Sequence, residues 1–337
     1  MPAEWEPQDA VLLAWPHAAT DWKPCLAASQ EACARLVAAV TPHERVLLLT
    51  SAPGESEAAL RKAGAHLDRV TPLSIPTNDT WARDFGPITV DEDGQPVLLD
   101  FQFNGWGGKF PADLDNQVTT RLKQHGVFGG RHVRSIHFVM EGGAIDSDGQ
   151  GTILTTASCL ANPNRLGRGS RADVEAALAR FLGARRICWL EHGALAGDDT
   201  DGHVDMLARF APHDTLVYTA CDDKGDTQYA GLAAMAEELT ALRTPAGQPY
   251  RLIPLPWPAP TFDDHGRRLP ASYANFLVIN GAVLVPTYND FVDSAALAAV
   301  GQAFPGRRIV GLDCSLLIRQ GGAVHCAAMH LPRGSVG

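Results

Sequence analysis

Asn280-Gly281-Ala282-Val283-Leu284-Val285-Pro286-Thr287 reads as a tight turn running straight into a strand. Asn-Gly is the pair that best tolerates the left-handed backbone of a two-residue hairpin loop. The β-branched and leucine residues after it suit a pleated, buried surface. The same pattern recurs upstream. Asp93-Gly94 precedes Pro96-Val97-Leu98-Leu99-Asp100-Phe101, and Asp148-Gly149 with Gly151 precedes Thr152-Ile153-Leu154-Thr155-Thr156. Pro212-His213-Asp214 precedes Thr215-Leu216-Val217-Tyr218-Thr219, and Val11-Leu12-Leu13-Ala14-Trp15-Pro16 is the earliest run.

Leu98, Leu154, Val217 and Leu284 mark strand centres that fall about 60 residues apart, while the first gap, from Leu13, is longer. Helical stretches lie between the runs, at 24–40, 55–63, 114–124, 170–182, 229–242 and 294–304. Several start after Ser or Asp and stop near Gly, as helix caps require. The expectation is an α/β protein of about five repeats, each a β-hairpin unit with a helix. No linker divides the chain, so residues 1–337 are expected to form a single catalytic domain. An ordinary α/β sheet is the alternative, and its nucleotide-binding version lacks a GxGxxG or Walker loop.

The 337 residues are 45% hydrophobic and 20% charged, which supports a large core and argues against disorder. A net charge of -10 argues against general nucleic-acid binding and is compatible with a small cationic substrate. The seven cysteines include no CxxC pair, which fits a reducing, cytoplasmic setting better than a disulfide framework. No signal-peptide pattern and no membrane-length apolar run is read, so no membrane partner is expected.

The chemistry gathers on Gly321-Gly322-Ala323-Val324-His325-Cys326, a small approach to a thiol. Gly202-His203-Val204-Asp205 supplies an imidazole and a carboxylate. Two further carboxylates stand in Trp81-Ala82-Arg83-Asp84 and Met140-Glu141-Gly142-Gly143. A guanidinium is planar, permanently cationic and a poor electrophile. Carboxylates can fork onto it and fix its plane, leaving the central carbon open to a thiolate. A histidine would then protonate the leaving nitrogen and activate water. His203 and Asp205, two apart, would share one face if they lay on a strand.

Each piece also has a plain structural reading. Asp84 could cap a helix, Glu141 could end a strand, and a buried cysteine is usually packing. Cys159, Cys188 and Cys314 sit among apolar neighbours, and Cys25 and Cys33 read as the core face of one helix. Zinc is disfavoured because no HExxH or CxxC organises the ligands. The segment Gly197-Asp198-Asp199-Thr200-Asp201-Gly202 fails as a calcium loop for want of an acidic residue at Ala208.

Taken in order, these segments resemble the agmatine deiminase family, the branch of guanidino-group-modifying enzymes that includes bacterial peptidylarginine deiminases. The likeness runs from Met1-Pro2-Ala3-Glu4-Trp5-Glu6-Pro7, through Asn78 to Pro87, Phe103-Asn104-Gly105-Trp106-Gly107-Gly108 and Glu141-Gly142-Gly143. It continues through Asp199 to Asp205 and Ala271 to Phe276, and ends at His325-Cys326. The resemblance implies a five-bladed, pseudo-symmetric, pentein-like α/β propeller and no cofactor. It implies Cys326 as nucleophile, His203 as acid–base, Glu141 as the partner of His203, and Asp84 and Asp205 as guanidinium clamps. It implies hydrolysis of agmatine to N-carbamoylputrescine and ammonia through a covalent thiouronium, in putrescine biosynthesis, and a homodimer is compatible with it. The chain departs from the family's usual pattern at Ala323-Val324, Phe85 and Thr287-Tyr288-Asn289-Asp290.

Substrate-binding residues are expected to be Asp84, Asp205, Trp81 and Asp199, the last facing the amine tail. Peptidylarginine or another guanidine is the alternative substrate, with Arg165 or Arg319 available for a free arginine carboxylate. A non-catalytic binder of cations is the third reading, and the presence of both Cys326 and His203 speaks against it.

Overall fold

A computed structural model describes residues 1–52 and 54–337. The first strand, β1 (Gln8–Ala14), is an almost unbroken apolar run because both of its faces are covered. Ala10, Leu12 and Ala14 join one apolar cluster, and the alternating Val11 and Leu13 join another. Helix Leu26–Val40 then buries Ala32, Cys33, Leu36, Val37 and Val40, a three-and-four spacing that makes one stripe. Burying a side chain such as Leu36 contributes about 2 kcal/mol. The chain returns as β2 (Arg45–Thr50), parallel to β1, and again after helix Glu57–Ala63 as β3 (Val70–Ser74).

The next four units repeat one plan, an antiparallel hairpin followed by a helix and a parallel strand. The second sheet holds β4 (Ile88–Glu92), β5 (Gln95–Gln102) and β6 (His132–Val139), with helix Val118–Gln124 crossing over. The third holds β7 (Ile145–Ser147), β8 (Thr152–Thr156) and β9 (Arg186–Leu190). Its helix Arg171–Leu182 opens on a reciprocal Ser170–Asp173 capping box and closes on left-handed Gly183. The fourth holds β10 (Ala208–Ala211), β11 (Thr215–Thr219) and β12 (Arg251–Leu255) around helix Tyr229–Ala241. The fifth holds β13 (Leu277–Ile279), β14 (Ala282–Thr287) and β15 (Arg308–Asp313) around helix Asp293–Ala303. Finally β16 (Ala328–Pro332) pairs antiparallel with β1, so the end of the chain completes the first sheet.

Among the described residues the strands thus form five small sheets, as the repeats imply. Two details were not legible. The long first gap holds an additional helix and strand, and the hairpin partner of β1 arrives from the far end of the sequence. The first strand also begins and ends earlier than the expected run 11–16. Cys25 lies on a short 3₁₀ turn, Lys23–Cys25, ahead of the helix that carries Cys33.

Candidate active site

The segments that lead into β4, β7, β10 and β16 carry the proposed reactive groups and pack against one another. Asp84 belongs to a one-turn helix, Ala82–Phe85, tied to the thiol segment by the Arg83 N–H donating to Cys326 O at 3.2 Å. Its Oδ1 accepts from Gly143 N at 2.9 Å and its Oδ2 accepts from Trp106 Nε1 at 2.9 Å. Trp106 holds left-handed backbone, φ 53°, a conformation that costs an ordinary residue about 1–2 kcal/mol. Gly107 N donating to Asn104 Oδ1 at 2.8 Å and edge-on packing against Phe103 and Phe110 hold it there.

The expected strand under His203 and Asp205 is absent. Gly202 has φ 93°, Val204–Met206 is a single 3₁₀ turn, and β10 begins only at Ala208. The chain bends here because its backbone bonds close locally, from Met206 N to His203 O and from Leu207 N to Val204 O. Both side chains nevertheless reach one floor. A methyl group placed on Gly143 would lie 2.6 Å from His203 Nδ1, 2.9 Å from Asp84 Oδ1 and 3.1 Å from Asp205 Oδ2.

Cys326 Sγ stands 3.5 Å from Asp205 Oδ2 and 3.0 Å from Asn275 Nδ2. The same Asp205 oxygen meets His325 Nδ1 at 2.7 Å, and His325 Nε2 meets Glu4 Oε1 at 2.8 Å. Glu4 in turn pairs with Arg209 and, at 3.2 Å, with Arg83. A buried chain of charges therefore backs Asp205 from the far side. Gly322 keeps this loop tight, since a Cβ there would lie 2.5 Å from Trp81 Cζ3 and 2.9 Å from Cys326 Cβ.

His203 lies between two carboxylates, with Nδ1 3.7 Å from Asp84 Oδ1 and Nε2 3.8 Å from Glu141 Oε2. Glu141 is gripped more closely by Arg165, whose Nε is 3.0 Å from Oε1. Arg165 also bonds Asp201 and, at 2.9 Å, Thr200 O. It is locked beneath the site and does not face the cleft as a carboxylate binder would. Cys159, expected to be packing among apolar groups, has Sγ 4.0 Å from Glu141 Oε2. Glu141, Cys159 and His203 form a tight buried group of the kind that can bind metal, and the partly buried Glu4 forms another with His325 and His330. In both groups arginines already occupy the carboxylate, Arg165 on Glu141 and Arg209 with Arg83 on Glu4.

The electrostatics follow from burial and neighbouring charge. Burial, then Asp205 and Asp84, push the Cys326 thiol well above its ordinary range. Burial raises Asp84 to about 6, with His203 opposing the rise. For His203 burial acts downward, but Asp84, Cys159 and Glu141 outweigh it and hold the imidazole well above its usual pKa. For Asp205 burial acts upward, and His325 followed by His203 and Arg209 outweighs it, keeping the carboxylate ionised.

Cys326 and Asp84 open into a cleft of about 210 Å³. Trp81, Trp106 and Phe110 form apolar wall, and Asp21, Asp79, Asp199, Arg267 and Arg319 surround the approach. Of the expected substrate-binding residues, Trp81, Asp84 and Asp199 line this cleft, while Asp205 is fully buried beside Cys326. Sequence reasoning missed Asn275, Trp106 and the Glu141–Arg165 pair. The first two stand in the motifs Ala271 to Phe276 and Phe103 to Gly108, which it quoted without assigning a role.

The five small sheets, with the candidate groups brought together on the segments between them, make this a pentein-type α/β propeller, the class of enzymes that modify guanidino groups. The family model for Porphyromonas-type peptidyl-arginine deiminase matches residues 1–332, and the chain belongs to that family. It is similar to a Porphyromonas gingivalis structure provisionally named an arginine deiminase, with 45% identity and TM-score 0.94 over 100% of this chain and 99% of that one. It is also similar to C. jejuni agmatine deiminase, a cysteine-to-serine variant with substrate bound, with 36% identity and TM-score 0.91 over 99% and 96% of the chains. A relative from Shewanella sp. (strain MR-7), provisionally named an agmatine deiminase, is 34% identical over 99% of this chain and 94% of its own.

Proposed function

We propose that the protein hydrolyses agmatine to N-carbamoylputrescine and ammonia, a step toward putrescine. One observation carries the reading: Cys326 and Asp84 open onto a cleft that three further aspartates also line, and the buried His203 and Asp205 stand directly against them. The guanidinium lies against Asp84 and Asp205, beside Trp81. Cys326 Sγ, as thiolate, forms a bond to the central carbon. One carbon–nitrogen bond then breaks, and the leaving nitrogen takes a proton from His203 and departs as ammonia. Water attacks the resulting thiouronium and gives its proton to His203. The carbon–sulfur bond breaks, its electron pair returns to sulfur, and the remaining hydroxyl proton passes to that sulfur as the carbonyl forms, so the neutral urea product leaves and the thiol is restored. Glu141 keeps the imidazole oriented and charged.

The resting thiol is held protonated by burial and by two carboxylates. A bound guanidinium cancels those charges, so the nucleophile forms when substrate arrives. The mouth favours a cationic tail. Burial raises Asp79 to about 7 and also raises Asp199, each with a further push from a neighbouring aspartate. An ammonium at that end relieves the repulsion.

Arginine, free or in a peptide, is the second reading, because Arg267 and Arg319 also reach the mouth and could take a carboxylate. Each is already paired, Arg267 with Asp263 at 3.1 Å and Arg319 with Asp264, which keeps agmatine first. Ammonia release from agmatine, free arginine and an arginine-containing peptide, compared at equal concentration, separates the two. A larger kcat/KM for arginine would move the assignment to the second.

A further inference from the structure

Asn275 carries a role that neither the motif in which it lies nor the proposed chemistry assigns. It is fully buried, just ahead of β13, on a segment pinned at several points. Ser272 N donates to Tyr288 Oη at 3.0 Å, Ser272 Oγ to Met206 O at 2.7 Å, and Ala274 N to Ser272 Oγ at 3.1 Å. Phe276 follows at once, packed against Phe304 and covered by the Arg209 guanidinium. The side chain of Asn275 is thus presented by a rigid backbone.

Its amide makes four contacts. Oδ1 accepts the backbone N–H groups of His325 at 3.1 Å and Cys326 at 3.3 Å. Two backbone donors on one atom identify that atom as the oxygen, so the nitrogen faces the other way. Nδ2 has two hydrogens and two targets, Asp205 Oδ2 at 3.1 Å and Cys326 Sγ at 3.0 Å. An amide N–H can donate to sulfur and cannot accept from it. The resting thiol has Asp205 Oδ2, at 3.5 Å, as an acceptor for its own proton.

We propose that Asn275 aims and stabilises the attacking sulfur of Cys326, giving one N–H to the thiolate while its carbonyl oxygen fixes the loop that carries it. The contact strengthens when the sulfur becomes charged, because hydrogen bonds to ionised acceptors are the strong ones. It acts on the atom whose charge appears on ionisation and reappears when the thiouronium collapses. The inference rests on Cys326 being the nucleophile.

Asn275→Asp keeps the size and the acceptor oxygen but replaces the donor, and Asn275→Ala removes both. The test compares iodoacetamide alkylation of Cys326 across pH 7–10, steady-state turnover of agmatine, and thermal melting. In Asn275→Asp the alkylation profile is expected to move up by about one pH unit. Turnover is expected to fall about 10²-fold in kcat, with KM nearly unchanged, as for loss of one donor to a developing anion. An unmoved profile with kcat within about threefold of wild type, in a variant that melts normally, overturns the proposal. If both variants fail to fold, wild type labelled with 15N-asparagine is titrated. An asparagine side-chain amide signal should shift with the Cys326 ionisation and lose that shift in Cys326→Ala, and its absence overturns the proposal. A Cys326→Ala enzyme that still turns over agmatine removes the nucleophile reading itself, which separates the two failures.

Discussion

The Oδ2 oxygen of Asp205 lies 3.5 Å from Cys326 Sγ, with both residues buried. A carboxylate this close works against a thiolate, and the arrangement makes sense when a cation is to be held beside both. His325, hydrogen-bonded to the same oxygen at 2.7 Å, keeps the carboxylate charged in the meantime. Asp205→Asn should therefore move two readouts in opposite directions. Removing the negative neighbour lowers the thiol pKa, so alkylation at pH 8 should accelerate about tenfold. Turnover should fall, with kcat/KM for agmatine down about 10²-fold or more. Slower alkylation, or unchanged kinetics, would take Asp205 out of the clamp.

Gly143 is placed so that its missing side chain leaves the floor open. A Cβ there would stand within 3.1 Å of His203 Nδ1, Asp84 Oδ1 and Asp205 Oδ2 at once. Asp84 and Asp205 are fixed by buried hydrogen bonds and His203 is fully buried between carboxylates, so the three cannot all give way. Gly143→Ala should cut kcat by about 10²-fold through displacement of the reacting groups, with secondary structure by circular dichroism unchanged. Near-normal turnover would mean that the guanidinium does not sit on this floor.

Asp199 lines the cleft, and Lys109 Nζ donates to its backbone oxygen at 2.5 Å, not to its carboxylate. Asp199→Ala should raise KM for agmatine about tenfold, a cost of roughly 1.4 kcal/mol, with little change in kcat. A guanidine lacking the terminal amine should be indifferent to the substitution. Equal losses for both substrates would place the ammonium elsewhere, with Asp21 and Asp79 the next residues to change.

The repeat of turn, strand and helix could be read directly, because each Asp-Gly or Asn-Gly pair abuts an apolar run that tertiary packing keeps as a strand. Asp93-Gly94 shows why: both residues have positive φ, the backbone a two-residue hairpin demands. The pairing of β1 with β16 could not be read, since nothing local in Ala328–Pro332 says which distant strand it will meet. The candidate groups Cys326, His203, Glu141, Asp84 and Asp205 were legible as residue types suited to a guanidinium. Their supports were not. Asn275, Trp106 and Arg165 act through contacts made across 51, 22 and 24 residues, and an asparagine, a tryptophan and an arginine have many commoner uses. The supposed strand at His203 failed because Gly202 and the local turn bonds outweighed an alternating pattern only two residues deep.

Arg165 offers the sharpest separation between a support and a substrate contact. Its guanidinium is nearly free of solvent and spans Glu141, Thr200 O and Asp201, so it joins the partner of His203 to the loop that delivers His203. Arg165→Met leaves Glu141 buried beside a neutral chain. Loss of one partner from such a pair costs about 3–5 kcal/mol, which should appear as a lower urea midpoint at unchanged slope. Arg165→Lys keeps the charge but cannot reproduce the fork, so it should recover part of the stability while kcat for agmatine stays about tenfold low. KM for agmatine and for arginine should change alike in both variants. A selective rise in KM for arginine, with stability intact, would instead make Arg165 a binder of the substrate carboxylate, against its buried position.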